Sequence, residues 1–255
     1  MTSAGDRAVE KASGRAFRRG AGRASRKADA AKQVENAERH RWFVGLCRFL
    51  GHRILFPLTC RYRVRGREHV PPTGGVVLAS NHTNILDGPV LFAASPRRAT
   101  FMVKSEMFGA GFLGWALRRL GQLPVNRGSA DRHALQTAIG TLREGGVVGV
   151  FPEGTRGAGD VDEVQHGIAY LALRADCPIV PVVIEGTSAL LAGGRPHWRR
   201  PVTVVFGEPF QVGTPGARDR SRRSIAAAAD EIRDRLASHV SNVRAADAAR
   251  GKEKT

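Results

Sequence analysis

The chain has 255 residues, 42% hydrophobic and 25% charged, which suits one globular domain with appendages and argues against a disordered polymer. Its formal charge of +17 is unevenly placed: residues 1–70 hold 17 Lys/Arg against 6 Asp/Glu, a net +11, leaving +6 for the other 185. Three widely spaced cysteines, Cys47, Cys60 and Cys177, with no CxxC or Cys/His ligand pattern, argue against a zinc module or a disulfide framework and predict reduced thiols.

Residues 1–40 are rich in Ala, Arg, Gly and Lys and poor in large apolar side chains. They are expected to be a basic arm, either disordered or a solvated helix, because little surface is available to offset the entropy of ordering. No apolar segment of signal-peptide type follows the basic residues, and no uncharged run reaches the roughly 18 residues of a spanning helix. Over 41–58 the spacing of Trp42, Leu46, Phe49, Leu50 and Arg53 predicts a short amphipathic helix that stops at Pro57. Arginines flank its apolar side, so docking at a membrane interface is the expected use, with packing on the domain as the alternative.

The domain is expected over 59–240. Arg61 to Arg65 alternates like a half-exposed edge strand, and Gly75 to Ala79 is continuous enough for a buried one. Further strands are predicted near Thr100 to Val103, Leu123 to Asn126, Gly146 to Phe151, Ile179 to Ile184 and Val202 to Phe206. Phe108, Phe112, Leu113, Trp115, Ala116, Leu117 and Leu120 form a strongly apolar helical stripe. Core packing, a tunnel for an apolar ligand and a membrane-facing wall all fit it. Leu135, Ala138, Ile139 and Leu142 mark a helix capped by Ser129, and Ile225, Ile232, Leu236 and Val240 mark another before a polar tail over 241–255. Alternating strands and helices predict an α/β fold: a mixed, largely parallel sheet flanked by helices.

Two strings carry the chemistry. In Asn81-His82-Thr83-Asn84-Ile85-Leu86-Asp87 an imidazole precedes a carboxylate by five residues, with no Ser or Cys nucleophile between them. On one ideal helix that offset sets the side chains about 140° apart. A His82–Asp87 dyad therefore needs His82 in a turn before a helix that begins near Asp87-Gly88-Pro89. Asp87 would then hold one ring nitrogen while the other faces substrate as a general base. In Phe151-Pro152-Glu153-Gly154-Thr155-Arg156 a buried strand gives way to a turn at the sheet edge where α/β folds bind ligands. Gly154 permits close backbone approach, and Arg156 offers a bidentate fork to a phosphate. Glu153 has two readings, binding a substrate hydroxyl or orienting the loop. Arg127 and Lys104, each at a strand end, are further anion-binding candidates.

These two strings resemble the NHxxxxD and FPEGTR boxes of the glycerolipid acyltransferases, the 1-acyl-sn-glycerol-3-phosphate acyltransferase family. The resemblance extends over roughly residues 60–210. Phe101-Met102-Val103-Lys104-Ser105-Glu106, Gly121-Gln122-Leu123-Pro124-Val125-Asn126-Arg127 and Val180-Pro181-Val182-Val183-Ile184-Glu185-Gly186 resemble further family blocks in the family's order. One departure is the segment Val164-Gln165-His166-Gly167, where many members carry a basic residue. The resemblance implies transfer of a fatty acyl group from acyl-CoA or acyl carrier protein to a lysophospholipid hydroxyl, most simply 1-acylglycerol 3-phosphate. His82 and Asp87 would be catalytic, and Lys104, Arg127, Glu153, Gly154, Thr155 and Arg156 would bind substrate. No cofactor or metal is expected, and the expected partners are donor, acceptor and an anionic membrane surface at the cytoplasmic face. Another lysolipid or glycerol 3-phosphate as acceptor, or a basic nucleic-acid- or lipid-binding protein without activity, are the alternatives.

Overall fold

The computed structural model describes residues 41–109, 111–126, 131–151, 161–191, 195, 197–213 and 221–252, with the side chains of 161–165, 251 and 252 left aside. The basic arm over 1–40 thus lies outside the described residues. Seven strands form one sheet in the order β1-β7-β6-β2-β5-β3-β4: β1 (Arg61–Arg65), β2 (Val76–Ser80), β3 (Ala99–Lys104), β4 (Leu123–Val125), β5 (Val147–Val150), β6 (Ile179–Glu185) and β7 (Pro201–Phe206). Every pairing is parallel except β6 with β7. The mixed, largely parallel sheet expected from the alternation of elements is therefore present. It also has a consequence for position: β1 and β7 begin at the edge where β2, β3, β4, β5 and β6 end.

Helices cover both faces, because the fully buried strands must hide alternate side chains on opposite sides. Val76 and Leu78 of β2 join one apolar cluster, with α1 (Arg41–Leu50), α2 (Phe56–Thr59) and α3 (Asp87–Ala94) on that face. Val77 and Ala79 join the other, beneath α5 (Arg132–Arg143), α6 (Val161–Ala175) and α8 (Arg222–Lys252). Two short helices, α4 (Phe112–Arg119) and α7 (Thr187–Leu190), complete the described α-helices.

Three local expectations are corrected. Pro57 does not stop the N-terminal helix, which continues to Thr59 through a π-helical turn over Gly51–Leu55. The wider turn closes from the Phe56 amide to the Gly51 carbonyl, and Pro57 then sits in the first turn of α2, where its missing N–H costs nothing. Asp131 rather than Ser129 caps α5, its carboxylate accepting from the Ala134 amide. The last helix does not end at 240, since Val243 is buried and Asp247 pairs with Arg65 at 2.7 Å, with alanines of high helix propensity between and beyond.

The apolar side of α1 does not face the core. Val44 is buried, but Trp42, Leu46, Phe49 and Leu50 are exposed, as are Ile54, Leu55 and Leu58 further along. On α4, Phe112 is 81% exposed, and Leu113 and Trp115 also face outward. An edge-to-face contact between Phe43 and Trp115, centroids 5.9 Å apart, joins α1 to α4, with Trp42 against Phe43 and Phe112 against Trp115 on either side. The α4 stripe is thus split: Leu120 packs against the core while Phe112, Leu113 and Trp115 do not, and the two helices share one aromatic surface. No described helix is long and apolar enough to cross a membrane.

Candidate active site

Asn81 carries the chain out of β2. Its side-chain oxygen accepts from the Ile184 amide at 2.8 Å and its side-chain nitrogen donates to the Ile184 carbonyl at 2.9 Å. The amide side chain imitates a strand partner and prolongs the β2–β6 pairing past Ser80↔Val182. His82 follows in the turn, and Asp87 is the first residue of α3, as the spacing argument requires. The His82 Nδ1 lies 3.2 Å from Asp87 Oδ2. A carboxylate only accepts, so Nδ1 carries the proton and Nε2 is the ring's free base.

Asp87 is fully buried, and four donors converge on it. Oδ2 accepts from the amides of Thr83 at 2.6 Å and Asn84 at 2.7 Å besides His82, and Oδ1 accepts from the Thr187 hydroxyl at 2.5 Å. Burial alone would raise the carboxyl's pKa. The hydrogen bonds from His82, Thr187, Asn84 and Thr83 outweigh it, and Asp87 is held below its ordinary value. It is therefore a fixed negative charge that orients the imidazole. The Thr83 and Asn84 amides are spent on this carboxylate, which removes them as donors to a reaction oxyanion.

The imidazole is also held from the side. Phe151, immediately after β5, packs on the His82 ring with centroids 4.6 Å apart, and Phe101 of β3 stacks on Phe151 at 5.8 Å. Gly149 makes this possible, because a Cβ there would come within 2.2 Å of the Phe101 ring. The stack fixes the ring plane without competing for its nitrogens, leaving the His82 side chain 24% exposed.

The site lies at the edge where β2, β5 and β6 end, the usual ligand crevice of an open α/β sheet. Lys104, the last residue of β3, is exposed at the same edge. Arg127, Glu153, Gly154, Thr155 and Arg156 lie outside the described residues, so of the predicted site residues only His82, Asp87 and Lys104 have a described place. His166 is exposed on α6. Thr187 was missed as a participant, although Glu185-Gly186 just before it closes a recognised block. Gly186 has φ +89 and a Cβ there would meet the Pro201 carbonyl at 1.9 Å, so only glycine makes the turn that delivers Thr187 to Asp87. No cluster of three or more potential metal ligands occurs among the described residues.

A buried carboxylate, a histidine in the adjoining turn and a doubly wound sheet define a class that comparison makes specific. The acyltransferase family model matches residues 61–185, from β1 through β6. The chain is 28% identical over 159 residues to the 1-acyl-sn-glycerol-3-phosphate acyltransferase of Bacillus subtilis, covering 62% of this chain and 78% of the relative. It is 35% identical over 129 residues to the human 1-acyl-sn-glycerol-3-phosphate acyltransferase alpha, covering 49% of this chain and 46% of that one, so it spans about half the length of that relative. The crystal structure of the 1-acyl-sn-glycerophosphate acyltransferase PlsC from Thermotoga maritima superimposes with a TM-score of 0.61 over 80% of this chain and 82% of that one. At 24% identity that likeness is one of fold. The resemblance to the glycerolipid acyltransferases, first read from NHxxxxD and FPEGTR, is borne out by these relatives.

Proposed function

We propose that the chain is a membrane-associated acyltransferase that moves a fatty acyl group from a thioester, acyl-CoA or acyl-carrier-protein, to the free hydroxyl of 1-acylglycerol 3-phosphate. The observation that carries this reading is the His82–Asp87 dyad, oriented by four hydrogen bonds to Asp87 and with no Ser or Cys nucleophile in its motif. His82 Nε2 removes the acceptor hydroxyl's proton as the oxygen attacks the thioester carbonyl. The tetrahedral intermediate collapses, the C–S bond breaks, and the imidazolium returns the proton to the leaving thiolate. A positioned general base contributes typically 10²–10⁴-fold to such a step. No covalent enzyme intermediate is required. Arg127 and Arg156 are assigned to the acceptor phosphate by the family's motifs, with Lys104, Glu153, Gly154 and Thr155 as neighbouring substrate-binding residues.

The exposed aromatic surface of α1 and α4, preceded in the sequence by a basic N-terminal region, is assigned to the cytoplasmic face of a membrane, where the acceptor is embedded. The test is transfer of a labelled acyl group by purified protein to lysophosphatidic acid in vesicles, with monoacylglycerol as a neutral acceptor. The proposal expects phosphatidic acid as product. It also expects that Arg156→Ala depresses transfer to lysophosphatidic acid far more than to monoacylglycerol, with Arg156→Lys rescuing only partly because the fork is lost. Equal losses on the two acceptors would remove Arg156 from phosphate binding, and no transfer to any glycerolipid would remove the proposal.

A further inference from the structure

We infer that a cleft beside the dyad binds the phosphate headgroup of an anionic membrane phospholipid and turns the reactive sheet edge toward the bilayer. The cleft, of about 550 Å³, is lined by Arg61, His197, Trp198, Arg199, Arg200 and Pro201. It is built by backbone bonds. The Arg61 amide donates to the Arg200 carbonyl at 2.9 Å, the Arg199 amide to the Thr59 carbonyl at 2.7 Å, and the His197 amide to the Leu190 carbonyl at 2.8 Å. The start of β1, the end of α2 and the segment entering β7 are thereby tied together.

Three features identify the occupant. First, Arg61, Arg199 and Arg200 bring three guanidinium groups to one concavity, and among the described residues none has a side-chain hydrogen bond or an ion pair. Like charges held together without a counter-charge create a strongly positive local potential and a site for an anion, and planar guanidinium forks match phosphate geometry. Second, the rim is apolar on one side. Trp198 in the lining is 67% exposed, and Leu58, next in sequence to the Thr59 whose carbonyl accepts from the Arg199 amide, is 70% exposed. Tryptophan beside arginine next to apolar side chains is the composition of a membrane–water interface. A soluble phosphate would have no use for that rim.

Third, the topology sets the cleft against the site. Because β7 runs antiparallel to β6, Pro201 lies at the edge where β6 ends, and the Gly186 backbone packs against the Pro201 carbonyl. Thr187, the next residue, holds Asp87. The cleft and the dyad thus stand on two sides of one rigid turn, and a headgroup held in the cleft fixes the distance from the bilayer surface to His82.

This inference rests on the docking reading above, and the experiment separates the two. Full-length protein is partitioned onto neutral phosphatidylcholine vesicles and onto vesicles that also contain phosphatidylglycerol. It is compared with the triple variant Arg61→Gln/Arg199→Gln/Arg200→Gln and with an equal-charge control, Arg15→Gln/Arg18→Gln/Arg19→Gln. At about 1 kcal/mol for each basic residue near an anionic surface, the cleft variant should lose on the order of 100-fold in partition onto anionic vesicles. Its binding to neutral vesicles should be unchanged, and the control should lose markedly less. Equal losses from cleft variant and control would overturn the inference, since only net charge would then matter. Normal vesicle binding with a raised KM for the soluble thioester would give the cleft to the donor, and RNA binding that outcompetes anionic vesicles would give it to nucleic acid. Failure of the unmodified chain to bind any vesicle would instead sink the docking reading. A second measurement needs no arginine substitution. In a Trp42→Phe/Trp115→Phe background the remaining Trp198 should be quenched more by brominated phosphatidylglycerol than by brominated phosphatidylcholine, and equal quenching would refute the site.

Discussion

Two regions of this molecule treat their side chains in opposite ways. Around Asp87 every hydrogen-bonding capacity is met from within the chain: two amides, an imidazole and a hydroxyl surround a carboxylate with no exposure. Along α1 and α4 the largest side chains are left without cover, with Trp42 69%, Phe49 57% and Phe112 81% exposed. The first region is complete in isolation, as preorganised catalysis demands, since groups already oriented need no rearrangement in the transition state. The second is incomplete. Large aromatic groups in water forgo the burial worth about 25 cal/mol per Å², and that cost is removed only when an apolar phase meets them.

The sharpest way to break this contrast is at the base itself. His82→Ala should lower turnover by about 10²-fold or more while circular dichroism and vesicle binding stay as they were. Near-normal turnover would end the role of the dyad. Asp87→Asn comes next. It keeps the shape of the site but loses the charge that orients the imidazole, and leaves one acceptor in place of a carboxylate. Turnover should fall steeply, and stability with it by about 1–3 kcal/mol at neutral pH, because hydrogen bonds to a buried charged group are lost.

That stability difference has a pH signature whose sign is fixed. Asp87's carboxyl lies lower in the folded chain than in the unfolded one. Its contribution is therefore fully present above the ordinary aspartate value, about 3.9, and is lost as pH falls through the folded value. Thermal melts of the unmodified chain and of Asp87→Asn should differ most near neutrality and converge in acid; a gap that widens in acid would contradict the assignment.

Smaller effects test the edges of each region. Thr187→Val removes one buried donor, so turnover should drop less than for Asp87→Asn. Thr187→Ser should restore it, and a failed rescue would point to packing by the methyl group instead of the hydroxyl. On the exposed surface, Phe112→Ser should leave the melting temperature within experimental error, because so little of the ring is buried. It should weaken binding to neutral vesicles, and sedimentation at equal lipid concentration decides it. A clear loss of melting temperature would mean that the ring is covered within the protein.

Much of this arrangement was legible in the sequence. The boundaries of the seven strands shift by only a residue or so: β2, β5 and β6, buried on both faces, announce themselves as apolar runs, and β1 by its alternation. His82 and Asp87 were picked out by the likeness of Asn81–Asp87 to the NHxxxxD box, and their five-residue offset placed them across the turn-to-helix junction where they lie. What escaped detection depends on distance along the chain. Thr187 and Asp87 are one hundred residues apart, and Asn81 reaches Ile184 across the sheet, so no local pattern links them. The Pro57 misreading has a different origin: the proline rule describes helix interiors, and a π-helical turn placed the residue at a helix start. For α1 the spacing gave the apolar side correctly, while only packing revealed that it points away from the core.

The hydroxyl that Thr187 lends to Asp87 also sets the order in which this protein becomes active. A chain emerging from synthesis has released His82 and Asp87 long before β6 and the Gly186 turn exist, and until then Asp87 lacks a donor and Asn81 has no strand to grip. Pairings so distant in sequence form late, after the loop entropy between them has been overcome. Partly folded chains therefore carry an incomplete His82–Asp87 pair. The hydrogen-bonded His82–Asp87 pair is completed only when the sheet has closed at its centre.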